Sequence, residues 1–151
     1  MIFKTTPISD LVVIEPMVFE DERGYFLESY RKDIFNKNGI IEEFVQENQS
    51  LSQKGVLRGL HFQTPPHAQA KLIKVITGSV LDVAVDLRSD SPTYGQHFSI
   101  ELSAKNKTML FVPGGFAHGF LTLENNTTFF YKCSGYYNKV AESTIAWNDE
   151  S

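Results

Sequence analysis

At 151 residues the chain fits one domain, with a composition ordinary for a soluble globular fold. A net charge of −4 with no basic stripe excludes the usual nucleic-acid binder, and no apolar run approaches the ~20 residues needed to span a bilayer. Cys133 is the only cysteine, so an intrachain disulfide is excluded and a reducing compartment is favoured.

The first ten residues lack the apolar core of a signal peptide, and the cytoplasm is the expected location. A strand is predicted over 11–14, where four apolar residues run together. The segment 31–38 is the one good helix candidate, closed by Gly39 at the position after the cap. Another strand is predicted over 56–62. The segment 71–76 leads through Thr77-Gly78-Ser79 into 80–87 and reads as a hairpin. In its second arm Leu81, Val83, Val85 and Leu87 share one face, and Val80, Asp82, Ala84 and Asp86 the other. Further strands are predicted over 97–102, 108–112, 118–123 and 127–133, with Asn125-Asn126 as a tight turn between the last two. Ser91-Pro92 and Pro113-Gly114-Gly115 break the pattern. Many short strands with little helix predict a sandwich, jelly roll or barrel. Twelve Phe and six Tyr supply its core and surfaces on which a sugar or base can stack.

Four histidines are candidates for chemistry. His61, in Arg58-Gly59-Leu60-His61-Phe62-Gln63, suits a general base, a metal ligand or a hydrogen-bonded core residue. His97 has no obvious partner and reads as structural or exposed. His61, His67 and His118 with a carboxylate would satisfy zinc or iron. However, Pro65-Pro66 keeps His61 and His67 off one regular strand face. Acid–base chemistry without a metal needs two groups on opposite sides of a substrate. His61 and Tyr131 are suitable types, and alternation puts Tyr131 on the face of Phe129. Arg23, Arg58 and Lys71 are cations suited to phosphate, and Lys71 stands out because it opens a strongly apolar strand.

Ordered blocks over nearly the whole chain resemble one family. They include Asp21-Glu22-Arg23-Gly24-Tyr25-Phe26-Leu27-Glu28-Ser29, Gln46-Glu47-Asn48, Lys54-Gly55-Val56-Leu57-Arg58-Gly59-Leu60-His61-Phe62-Gln63 and His67-Ala68-Gln69-Ala70-Lys71-Leu72. Later blocks are Ser91-Pro92-Thr93-Tyr94-Gly95, Pro113-Gly114-Gly115-Phe116-Ala117-His118-Gly119-Phe120, Tyr131-Lys132, Tyr136-Tyr137 and Trp147-Asn148-Asp149-Glu150. The chain resembles the dTDP-4-dehydrorhamnose 3,5-epimerases, a metal-independent branch of the cupins.

The resemblance implies an all-β, cupin-type jelly-roll barrel with one short helix, needing no cofactor. It implies epimerisation at C3 and C5 of a dTDP-linked 4-keto-6-deoxy sugar. His61 would be the base, Tyr131 the acid, and Lys71 the cation beside the carbonyl oxygen. Arg58 and His118 would contact sugar and phosphates, and Gln46 and Asn48 would line the nucleotide site. Tyr137 would stack on the nucleotide, with Glu142 as a further binding residue. Arg23 and Glu28 would arrive across a homodimer on an exchanged N-terminal strand. Asp82 matches a family acid on a barrel strand, in a structural or a functional role.

The family usually continues past the position of Ser151. The further segment supplies an aspartate that pairs with the base histidine and a nearby basic residue, and neither has a counterpart here. The expectation is one domain over 1–151 without that tail, with Asp82 as a substitute partner for His61. Glu47 stands where aspartate is usual and Gln49 where histidine is common; both are expected to be tolerated. The alternatives are a single-centre epimerase, a catalytically weakened dTDP-sugar-binding cupin, and a metal-dependent cupin.

Overall fold

The computed structural model describes residues 1–150. Thirteen strands and one helix are found among them. The strands are β1 (Ile2–Thr5), β2 (Val12–Glu15), β3 (Val18–Asp21), β4 (Gly24–Leu27), β5 (Gln46–Ser52), β6 (Leu57–Gln63), β7 (Lys71–Thr77), β8 (Ser79–Asp86), β9 (His97–Ser103), β10 (Met109–Val112), β11 (Phe116–Thr122), β12 (Thr127–Cys133) and β13 (Glu142–Thr144). The helix α1 (Lys32–Lys37) lies between β4 and β5. Gly39 follows its cap with φ +85°, the left-handed position predicted for it.

Two sheets face each other. One has the order β1-β2-β10-β7-β12-β5 and the other β13-β6-β11-β8-β9; β3 and β4 form a separate hairpin. This is the expected jelly roll. The strand pairing corrects one sequence expectation. β7 pairs with β10 and β12, whereas β8 pairs with β9 and β11. Thr77-Gly78-Ser79 is therefore a corner between sheets, not a hairpin turn. Asn125-Asn126 likewise carries the chain from β11 in one sheet to β12 in the other. Both segments turn the backbone as predicted, but the pairing partners are set by packing distant in sequence.

Strand alternation decides what enters the space between the sheets. On β8 the buried face is Val80, Asp82, Ala84 and Asp86. On β7 Ile73 and Val75 point inward, while Leu72 packs outside the sheet with Phe35 of α1, Ile14 and Met109. The inner core joins Val75, Val80, Leu102, Phe120 and Phe129. Phe120 and Phe129 stack across it at 4.0 Å between centroids.

Asp86 is the core's second buried acid. Both its oxygens accept hydrogen bonds from Arg88, and Ser91 and Thr93 donate to Oδ2. Burial alone would raise this carboxyl. The donors outweigh it and hold Asp86 well below the usual carboxylate range. A depressed folded-state value stabilises the fold above the unfolded carboxyl's titration, and the benefit is lost as pH falls through the folded one. Asp86→Ala is expected to cost about 3–5 kcal/mol at pH 7, because Arg88 loses its buried partner and keeps only the exposed Asp10, while Ser91 and Thr93 lose their acceptor. Urea unfolding would measure the loss, which should shrink as the pH is lowered below about 4.

Candidate active site

Period-two alternation aims every central residue at one cavity. Lys71 shares the inward face of Ile73 and Val75, and Tyr131 that of Phe129 and Cys133. These two come from the six-stranded sheet. His61 and His118 come from the opposing sheet, where they are direct partners across β6 and β11. The register shifts next to this pair, between His118 and Phe120. The strands approach closely there. A Cβ on Gly59 would meet the His118 carbonyl oxygen at 2.6 Å, and one on Gly119 would meet the Arg58 carbonyl oxygen at 2.6 Å. Glycine at both positions lets Arg58 and His61 lie beside His118.

The cavity, about 310 Å³, is lined by Gln46, Asn48, His61, Lys71, His118, Tyr131, Tyr137 and Glu142, eight of the predicted residues. A second lobe shares His61, Lys71, His118, Tyr131 and Glu142 as walls and reaches Arg58. Arg58 is braced by donating to Ser52 Oγ at 2.9 Å. Arg23 and Glu28 lie elsewhere, on and just after the β3–β4 hairpin. Arg23 donates to Asp21, and Glu28 sits 3.9 Å from Arg31. His67 is exposed and its Nε2 lies 3.2 Å from Asn138 Nδ2, apart from the other histidines. His97 is exposed.

The carboxylates divide differently from expectation. Asp82 does not serve His61. Its two oxygens lie 2.9 and 2.8 Å from His118 Nε2, and its side chain is fully buried. The carboxylate near His61 is Glu142, 3.9 Å from Nδ1. Register explains both. Asp82 faces Phe120 across β8 and β11, one diagonal step from His118. Thr144 faces His61 across β13 and β6, which sets Glu142 one step along. The second Glu142 oxygen accepts a 2.6 Å hydrogen bond from the Tyr137 hydroxyl. Sequence reasoning missed Gln63, Gln69 and Phe116 as cavity walls. Gln63 and Gln69 lie inside the family-like blocks, which is the signal that could have found them.

The environment separates the groups chemically. Burial lowers His61, with Glu142 opposing and Lys71 and His118 assisting, so the imidazole is neutral near pH 7. Burial lowers Lys71 also, against the pull of Cys133, Asp82 and Glu142. Burial raises the Tyr131 phenol, with Asn48 opposing from the neighbouring strand, so the phenol keeps its proton. The Lys71 ammonium lies 5.6 Å from the Tyr131 ring centroid. A neutral imidazole on one wall thus faces a protonated phenol and the Lys71 amine on the other.

A family model described as dTDP-4-dehydrorhamnose 3,5-epimerase matches residues 5–151. The chain belongs to the dTDP-4-dehydrorhamnose 3,5-epimerase family. A family member from Salmonella typhimurium is 51% identical over all of this chain and 83% of its own length. The crystal structure of the Elizabethkingia anophelis epimerase superposes with a TM-score of 0.94 at 50% identity, covering 99% of this chain and 82% of that one. The Legionella pneumophila epimerase, solved in complex with dTDP-4-keto-L-rhamnose, gives 0.94 at 47% identity, covering 97% and 78%. No helix among the described residues of this epimerase is long and apolar enough to cross a membrane.

Proposed function

We propose that the protein epimerises dTDP-4-dehydro-6-deoxy-D-glucose at C3 and C5, giving dTDP-4-dehydro-L-rhamnose. The observation that carries this reading is the placement of His61 and Tyr131 on opposite walls of one cavity, with Lys71 beside them. The C4 ketone acidifies its neighbouring C–H bonds, because the carbanion delocalises into an enolate. Neutral His61 removes the proton on one face. The Lys71 ammonium holds the enolate oxygen. Tyr131 returns a proton on the other face, and the centre is inverted.

Gln46, Asn48 and Tyr137 hold the nucleotide, and Arg58 and His118 hold the sugar and phosphates. Glu142 is a further binding residue beside the base. In this reading the enzyme is a cytoplasmic homodimer. The β3–β4 hairpin carries Phe19, Tyr25 and Phe26, each more than half exposed, a face suited to burial against a second copy. Exchange of that strand would deliver the partner's Arg23 and Glu28 to the nucleotide, which accounts for their distance from the cavity of their own chain.

The reaction is tested by incubating substrate with the enzyme in deuterated water and following C3–H and C5–H by NMR. Exchange at both centres with product formation supports the reading. Exchange at one centre marks a single-centre epimerase, and none at either rejects it. Lys71→Met is expected to lower kcat by about 10²–10³, the range for losing one oxyanion donor. Steady-state kinetics would show this with KM for the nucleotide sugar little changed.

A further inference from the structure

We propose that Asp82 is a positioning residue for the epimerisation: its buried carboxylate fixes the His118 ring in one tautomer and places a fixed negative charge in the sheet that faces Lys71 across the cavity. The inference rests on the catalytic reading above. Its geometry is independent of it.

Asp82 lies on β8 between Val80 and Ala84, both fully buried on the same inward face. A carboxylate is costly in such a place unless charge and hydrogen bonding compensate it. For stability alone, an apolar side chain of similar volume would serve as well. Both Asp82 oxygens converge on one atom, His118 Nε2. An ionised carboxylate only accepts, so Nε2 carries a proton and donates it. The other ring nitrogen, Nδ1, is left to meet a ligand in the cavity that His118 lines. Phe129 stacks on the ring at 6.2 Å and restrains its plane.

Other charged or titratable groups face this wall. His61 of β6 lies opposite His118. Lys71 of β7 is acted on by Asp82, by Glu142 of β13 and by Cys133 of β12. Asp82 is the fully buried acid of that set. Removing its charge therefore frees the His118 ring and withdraws support from the Lys71 ammonium together.

Asp82→Asn keeps the shape and removes the charge. It is expected to lower kcat by about 10–100-fold, by analogy with losing the carboxylate that orients a metal-bound histidine. KM should rise by less than kcat falls, because only the His118 contact among the substrate contacts is loosened. The alkaline limb of the kcat–pH profile should move to lower pH, since an anion that favours the ammonium is gone. A folded Asp82→Asn protein with wild-type kcat, or with reduced kcat and an unmoved profile, would overturn the proposal. If the variant does not fold, ¹⁵N NMR of histidine-labelled wild-type protein decides. A proton on His118 Nε2 sustains the assignment, and a proton on Nδ1 with bare Nε2 overturns it. The NMR result does not depend on turnover, so it separates this proposal from failure of the epimerase reading, which the wild-type exchange experiment tests.

Discussion

His61→Ala is expected to abolish deuterium entry at C3 and C5 while dTDP still binds. A positioned general base contributes about 10²–10⁴ in rate, and nothing else on its wall replaces it. His118 is its cross-strand neighbour on that wall, but Nε2 is committed to Asp82 and, in the proposed reading, the other ring nitrogen to the sugar and phosphates. The fold should tolerate the change. The His61 side chain is 47% exposed, and its ion-pair contact, to Glu142, is a long 3.9 Å. Isothermal titration with dTDP and NMR exchange on the same preparation would read both halves. Loss of dTDP affinity would reassign His61 from base to binding residue. The wild-type kcat/KM profile should fall on the acid side as His61 takes up its proton. That limb should lie below the ordinary imidazole range, because burial disfavours the charged ring.

Tyr131→Phe should produce the complementary defect. Proton removal by His61 continues, so solvent deuterium still enters the substrate. Return of a proton from the opposite face is lost, and product should fall by about 10²–10⁴. The substitution keeps the ring that packs 5.9 Å from Phe129 and removes only the hydroxyl. Substrate recovered from the reaction should carry label with its original configuration. Equal loss of exchange and product would place Tyr131 in proton removal and overturn its role as the acid.

Which residues share a face was legible from alternation, but not which face is inward: on β8 the wholly apolar face of Leu81, Val83 and Val85 is the less buried one. The pattern of β8 placed Asp82 with Val80 and Ala84, and that of β12 placed Tyr131 with Phe129. The identity of the pairing strands was not legible. Gly78 marks a sharp turn whether the next strand returns alongside or crosses to the other sheet, and only core packing selects between them. The Asp82–His118 contact spans 36 residues and depends on a one-step diagonal between β8 and β11, which no local pattern encodes. Glu142 reached His61 through β13, a three-residue strand too short to announce itself by periodicity. The hairpin β3–β4 was also missed. Its aromatic residues do not alternate between buried and exposed within one chain, so the usual strand signal is absent.

Because His61 and Tyr131 hang from different sheets, the gap between them is the thickness of the sandwich. That thickness, of the order of 10 Å for stacked sheets, is maintained by side chains that never meet a ligand. In the proposed mechanism Val75, Val80 and Leu102 are spacers for the proton-transfer groups as much as stuffing for the core. Trimming one of them brings donor and acceptor walls to a new separation, and turnover would register the change even in a variant that stays folded.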